Sequence, residues 1–130
     1  MEDLKDYFNS HEGVDFSWSD NNCLSFVSGY HKGVFPKDWV EGYSTTREAV
    51  VAYRKNLKAY GYEDILDAMD DILEPCLTLH PKDGLVVAKK TDSVMGYVFG
   101  LTYMGVGWFL SEDSLIALDV EYTDRFWNVV

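Results

Sequence analysis

A chain of 130 residues with 47% hydrophobic and 25% charged side chains has the size and composition of a single globular domain, residues 1–130, with a buried core. Twenty-two acidic residues against eleven lysines and arginines give a net charge of −11, and the basic residues are scattered, which argues against nucleic-acid binding and against attachment to an anionic membrane. No apolar run reaches the ~18 residues of a membrane span, the acidic start is unlike a secretory signal, and Cys23 and Cys76, without paired spacing, read as free thiols of a reducing compartment.

Taken in chain order, residues 2–10 predict a short helix with Leu4, Tyr7 and Phe8 on one face. His11–Asn22 reads as irregular, and Asn21 or Asn22 can cap a helix that starts at Cys23, buries Phe26, Val27 and Tyr30, and stops near Gly33. Val34–Tyr43, with Pro36 and Gly42, reads as a packed loop. Thr45 and Glu48 have the spacing of a capping box for a helix running to about Tyr60, with Val50, Tyr53, Leu57 and Tyr60 inward and Gly61 at its left-handed end. Glu63–Glu74 predicts another helix, with Ile65, Leu66, Met69, Ile72 and Leu73 as its stripe and Pro75 beyond its end.

From Gly84 the pattern changes to short β-branched and aromatic runs. Leu85–Ala88, Gly96–Phe99, Val106–Leu110 and Leu115–Leu118 are separated by turn residues and predict an antiparallel meander of about four strands. Arg125–Val130 is a final strand or a docked tail. The class is α+β, helices first.

The residue with the most chemical promise is Cys23. A thiol in the first turn of a helix feels the positive end of the dipole and unpaired backbone N–H groups, which favour thiolate. From position alone, the inert core cysteine on an apolar helix face is the favoured reading.

The run Phe16-x-Trp18, a polar turn, then Asn22-Cys23-Leu24-Ser25-Phe26-Val27 resembles the NlpC/P60 branch of papain-like hydrolases. Pro81-Lys82-Asp83-Gly84 loosely matches that branch's Pro-Gly-Asp-like turn, and Val94-Met95-Gly96-Tyr97-Val98-Phe99-Gly100 stands where it has His-Val-Gly-Ile-x-x-Gly. Val94 or Met95 thus occupies the histidine position. Together with Gly42-Tyr43-Ser44-Thr45 … Ala49, Glu112-Asp113-Ser114-Leu115 and Phe126-Trp127, the set resembles a bacteriophage and prophage family distantly related to that branch, over roughly residues 14–130. Ser19 in place of glycine and Asn22 in place of aspartate are further departures.

The resemblance implies a papain-like fold, N-terminal helices packed on a C-terminal antiparallel sheet of about four to five strands. It also implies a bacteriophage virion component, tail-associated or serving tail assembly. Such a protein is made in the host cytoplasm, touches other phage structural proteins and sits as an oligomer within a symmetric assembly. With the histidine replaced, the site reads as a pseudoenzyme in which Cys23 is vestigial. The alternative is an active peptidoglycan amidase or endopeptidase with Cys23 as nucleophile and His80, the weak substitute, as base. His31 lies eight residues after Cys23, about 12 Å along a helix, too far to serve. His11 has no motif around it.

The remaining patterns read as structural. Asp67, Asp70, Asp71 and Glu74 crowd one helical face, which reads as a solvated acidic surface before a cation site. Gly105-x-Gly107 lacks the third glycine of a dinucleotide fingerprint and reads as a strand bend or bulge beside Trp108. Trp18, Trp39, Trp108 and Trp127 read as core. No cofactor and no metal site is expected. An acidic decoy for a DNA-binding groove is a third reading, weakened by the scatter of the carboxylates.

Overall fold

A computed structural model of the chain describes residues 4–11, 23–31, 46–76, 78, 80–91, 97–110, 115–121 and 123–129. They form helices α1 (Leu4–His11), α2 (Cys23–Tyr30), α3 (Thr46–Ala59) and α4 (Ile65–Ile72), and strands β1 (Glu74–Cys76), β2 (Val86–Lys90), β3 (Tyr97–Tyr103), β4 (Val106–Leu110), β5 (Leu115–Asp119) and β6 (Arg125–Asn128). The class is α+β, and the strands make one open antiparallel sheet of six in the order β1-β6-β2-β3-β4-β5.

Strands β2 to β5 form the expected meander, but the sheet does not end there. β6 returns to the far side of β2, with Val87 opposite Phe126, and β1 pairs with β6 through Cys76 opposite Phe126. The expected helix over Glu63–Glu74 is therefore shortened. Asp64 caps it by accepting from the Asp67 N–H at 2.8 Å, Leu73 leaves it in extended geometry, and Glu74 and Pro75 belong to an edge strand. Proline suits that position, because an edge strand has N–H groups that need no partner. Ile72, expected in the stripe, is exposed, whereas Ala68 is fully buried.

Alternation divides the sheet into two faces. On one, Val86, Ala88, Phe99, Leu101, Leu110 and Trp127 meet Leu4, Tyr7 and Phe8 of α1 and Phe26 and Val27 of α2 in the main core, which also takes in Leu57, Ile65, Ala68 and Met69. Phe8 anchors the helices to the sheet by stacking on Phe26 and meeting Tyr103 edge-on at 5.5 Å. Each such aromatic or aliphatic side chain contributes about 1.5–3 kcal/mol by leaving water. On the other face, Leu85, Val87, Phe109 and Phe126 form a smaller cluster beside Cys76, Val98 and Val120.

Two glycine positions shape that second face. A Cβ on Gly107 would stand 2.7 Å from the Phe109 ring, and one on Gly100 would collide with the same ring and with the Trp108 carbonyl. Phe109 can lie flat on the sheet only because both are glycine. The bend or bulge expected around Gly105 and Gly107 is instead a two-residue hairpin. Met104 (φ 53°) and Gly105 (φ 80°) turn β3 into β4, both in the left-handed region that primed turns demand.

The end of α3 follows its sequence signal closely. Gly61 takes φ 82°, its N–H donates to the Lys58 carbonyl at 3.1 Å, and the Tyr62 N–H donates to the Leu57 carbonyl at 2.9 Å, a Schellman closure. Leu57 is buried as expected, but Tyr60 is 54% exposed, because the chain turns away before the stripe can continue. Thr45, the loop over 34–43, Trp18 and Trp39 lie outside the described residues; Trp127 is fully buried and Trp108 half-buried.

Candidate functional site

Helix α2 begins at Cys23, as its sequence predicts, and packs on β3 and β4. Phe26 and Val27 are wholly buried there. The helix is further tied to α1 by the Tyr7 hydroxyl, which donates to the Phe26 carbonyl at 2.5 Å, with the two rings 5.4 Å apart. Gly29 makes this approach feasible, since any Cβ there would run into the Tyr7 hydroxyl. A cysteine-headed helix is thus held rigidly against an antiparallel sheet. The Cys23 side chain, Val94 and Met95 lie outside the described residues.

His31 continues α2 by one residue, its N–H donating to the Val27 carbonyl at 3.0 Å. Its ring stands edge-on to Tyr30 at 4.8 Å, and its Nε2 lies 2.6 Å from the Gly84 carbonyl oxygen. A carbonyl can only accept, so Nε2 carries the proton and donates it. Burial lowers the His31 pKa below 6.5, and the Gly84 bond only partly opposes that. The neutral imidazole therefore clamps the end of α2 to the turn before β2.

That turn is itself fastened to β3. Gly84 adopts φ 86°, its N–H donates to the Thr102 carbonyl at 2.7 Å, and the buried Thr102 hydroxyl accepts from the Leu85 N–H at 2.9 Å while donating to the Lys82 carbonyl at 2.6 Å. Asp83 reaches the hairpin tip, accepting from the Met104 N–H at 2.9 Å. His80, the substitute base, is exposed, and its backbone N–H donates to Thr78 Oγ1 at 2.9 Å.

The carboxylates of α4 are engaged one by one. Asp70 accepts from Arg125 at 2.9 and 3.0 Å and from the Trp127 indole N–H at 2.8 Å, joining α4 to β6. Asp71 accepts from the Tyr62 hydroxyl at 2.6 Å, which raises that phenol's pKa, and Asp67 accepts from the Glu63 N–H. Just before β6, next to Arg125 in the chain, Asp124 is bound by Lys89 at 2.8 Å, which also reaches Glu121 at 3.2 Å. Burial pulls the Lys89 pKa down, but the two carboxylates outweigh that and raise it overall. Glu74, the last of the acidic set, lies in β1. Among the described residues no group of histidine, cysteine, aspartate and glutamate is arranged to hold a metal ion, and no helix is long and apolar enough to cross a membrane.

Sequence reasoning missed two of these arrangements. The Asp83-Gly84 dipeptide marked a turn, but nothing local linked it to His31. Asp70 was read with its helical neighbours, while its partners lie on a strand more than fifty residues away.

Helices on one face of an open antiparallel sheet, with a cysteine heading the helix that crosses β3 and β4, define an α+β protein built around a central β2–β5 meander. Over residues 1–129 the chain matches the family described as "Domain of unknown function (DUF6950)", and it belongs to that family. No curated protein and no solved structure matches it.

Proposed function

We propose that this chain is a non-catalytic domain of papain-like descent that serves as a bacteriophage structural component, associated with the tail or with its assembly. The observation that carries the non-catalytic part is the placement of His31. It follows the cysteine-headed helix directly, yet its Nε2 is committed to the Gly84 carbonyl at 2.6 Å, and it lies about two turns from Cys23. The histidine position of the hydrolase motif holds Val94 or Met95, neither of which can take a proton from a thiol. The fold supports the descent in outline, since a cysteine-headed helix packed on an antiparallel sheet is the arrangement the resemblance implies. The particle role rests on that resemblance.

Two measurements test the reading. Iodoacetamide alkylation of Cys23 across pH, in a Cys76→Ser background, should give a thiol pKa near or above about 8.5. A value well below it, together with cleavage of cell-wall peptides that Cys23→Ala abolishes, would establish the hydrolase instead, and His80→Ala would then show whether that imidazole is its base. In a phage or prophage carrying the gene, deletion should leave heads without functional tails, whereas Cys23→Ala should leave assembly intact. Normal tails in the deletion strain would overturn the structural role.

A further inference from the structure

We propose that the open edge of β5 is a docking strand for an extended segment of another protein, one whose alternating side chains are apolar and whose ends carry lysine or arginine. The inference rests on the sheet edge alone and is independent of papain-like descent or a phage particle.

Three observations meet at this strand. Among the described residues nothing pairs with β5 beyond β4, and Ile116 and Leu118 are 38% and 37% exposed although both are large and apolar. Counting outward from the Met104–Gly105 turn, the antiparallel ladder alternates bonded and non-bonded pairs. Gly107–Leu118 and Phe109–Ile116 then face each other with their N–H and C=O groups, and Leu115, Ala117 and Asp119 turn theirs to the free edge. An edge of this kind is completed by another strand, since it offers a row of donors and acceptors at strand spacing. Its guards are few: β5 contains no proline, lysine or glycine, and its one charged residue, Asp119, stands at its end.

Charge selects the occupant. The sequence carries no basic residue between Lys90 and Arg125, Glu112 and Asp113 come just before β5 in the chain, and Asp119 ends the strand. Lys89 neutralises part of the Glu121 and Asp124 charge, and Asp119 at the end of β5 is exposed. A second copy paired antiparallel about Ala117 would bring together two molecules that each carry −11, with an exposed Asp119 on each strand. An incoming segment with basic ends meets the opposite field and is drawn in by it.

The probe is a fluorescent peptide with a Val-Thr-Ile-Thr-Val centre and two lysines at each end, titrated into the full chain at low salt. It should bind, with protection of the Leu115, Ala117 and Asp119 amides from exchange, and should weaken by about tenfold or more when its lysines are replaced by glutamates or when salt is raised. N-methylating its alternate amides should abolish binding without touching the protein. Ile116→Lys with Leu118→Lys should weaken it in a variant whose melting is unchanged. Equal binding of the N-methylated peptide, or no binding of the lysine-ended one, would overturn the proposal. A dimer dissolved by the same double substitution would assign the edge to a second copy and overturn it equally.

Discussion

The two edges of the sheet are built on opposite plans. β1 has three residues, one of them Pro75, and follows directly from α4, whose Asp70 reaches across to Arg125 and Trp127 of its neighbour β6. It is short, guarded and tied to a helix. β5 has five residues, four of them apolar, and most of its length is exposed. Proteins blunt free edges because an unguarded strand pairs with whatever extended chain it meets. Among the described residues, one edge here carries proline, brevity and a helix tie, and the other carries only the terminal Asp119. In a chain that otherwise fastens its turns and helix ends so thoroughly, this strand is the place proposed above for a partner.

Substitutions can break the contrast, and the largest effects belong on the guarded side. Trp127→Ala removes a fully buried indole from the core and the N–H that holds Asp70. Urea unfolding should show a loss of roughly 3–5 kcal/mol; a loss near zero would mean that β6 is not what closes the sheet. Thr102→Val keeps the shape but leaves the Leu85 N–H and the Lys82 carbonyl without the hydroxyl they share. It should cost about 1–3 kcal/mol. Asp70→Ala, cutting a half-exposed tie between α4 and β6, should cost about 1 kcal/mol.

A pH experiment probes the junction between helix and turn. The folded state lowers the His31 pKa from 6.5, so below that pH the unfolded chain takes up a proton that the folded chain resists. The stability difference between the wild type and His31→Gln should therefore be constant above about pH 6.5 and shift against the wild type as pH falls toward the folded value. A flat difference across that window would show that His31 is not held neutral. The smallest effect belongs to the open edge: Leu118→Lys should change stability by no more than about 0.5 kcal/mol, because its side chain is already partly in water. A large loss would mean that the strand is covered in the free protein.

The sequence revealed local structure far better than it revealed edges. The apolar face of α1, the start of α2 at Cys23 and the glycine closure of α3 depend on residues within a few positions of one another, and all were legible. Leu73-Glu74-Pro75-Cys76 was not, since helix followed by proline reads as a stop signal. That Pro75 lies in a strand depends on Trp127, fifty-two positions later. Leu115–Leu118 could be read as a strand, but its place at the rim is a property of strand order, which no short pattern carries. At the candidate site, the helix bearing Cys23 was foreseeable from its apolar spacing, while its expected caps, Asn21 or Asn22, lie outside the described residues. The engagement of His31 with Gly84 was not, because it spans fifty-three residues and a main-chain carbonyl leaves no mark in composition.

The insertion of β6 between β1 and β2 also sets an order in time. Until residues 125–128 take their place the β2–β5 meander can form, but β1 lacks the strand it pairs with and the main core lacks Trp127. Both halves of the molecule then wait with apolar surface uncovered until a four-residue segment arrives and joins them. Long-range closure of this kind is slow relative to hairpin formation. In refolding, protection of the β3–β4 hairpin amides should therefore precede the burial of Trp127, and the state between the two exposes the most apolar surface.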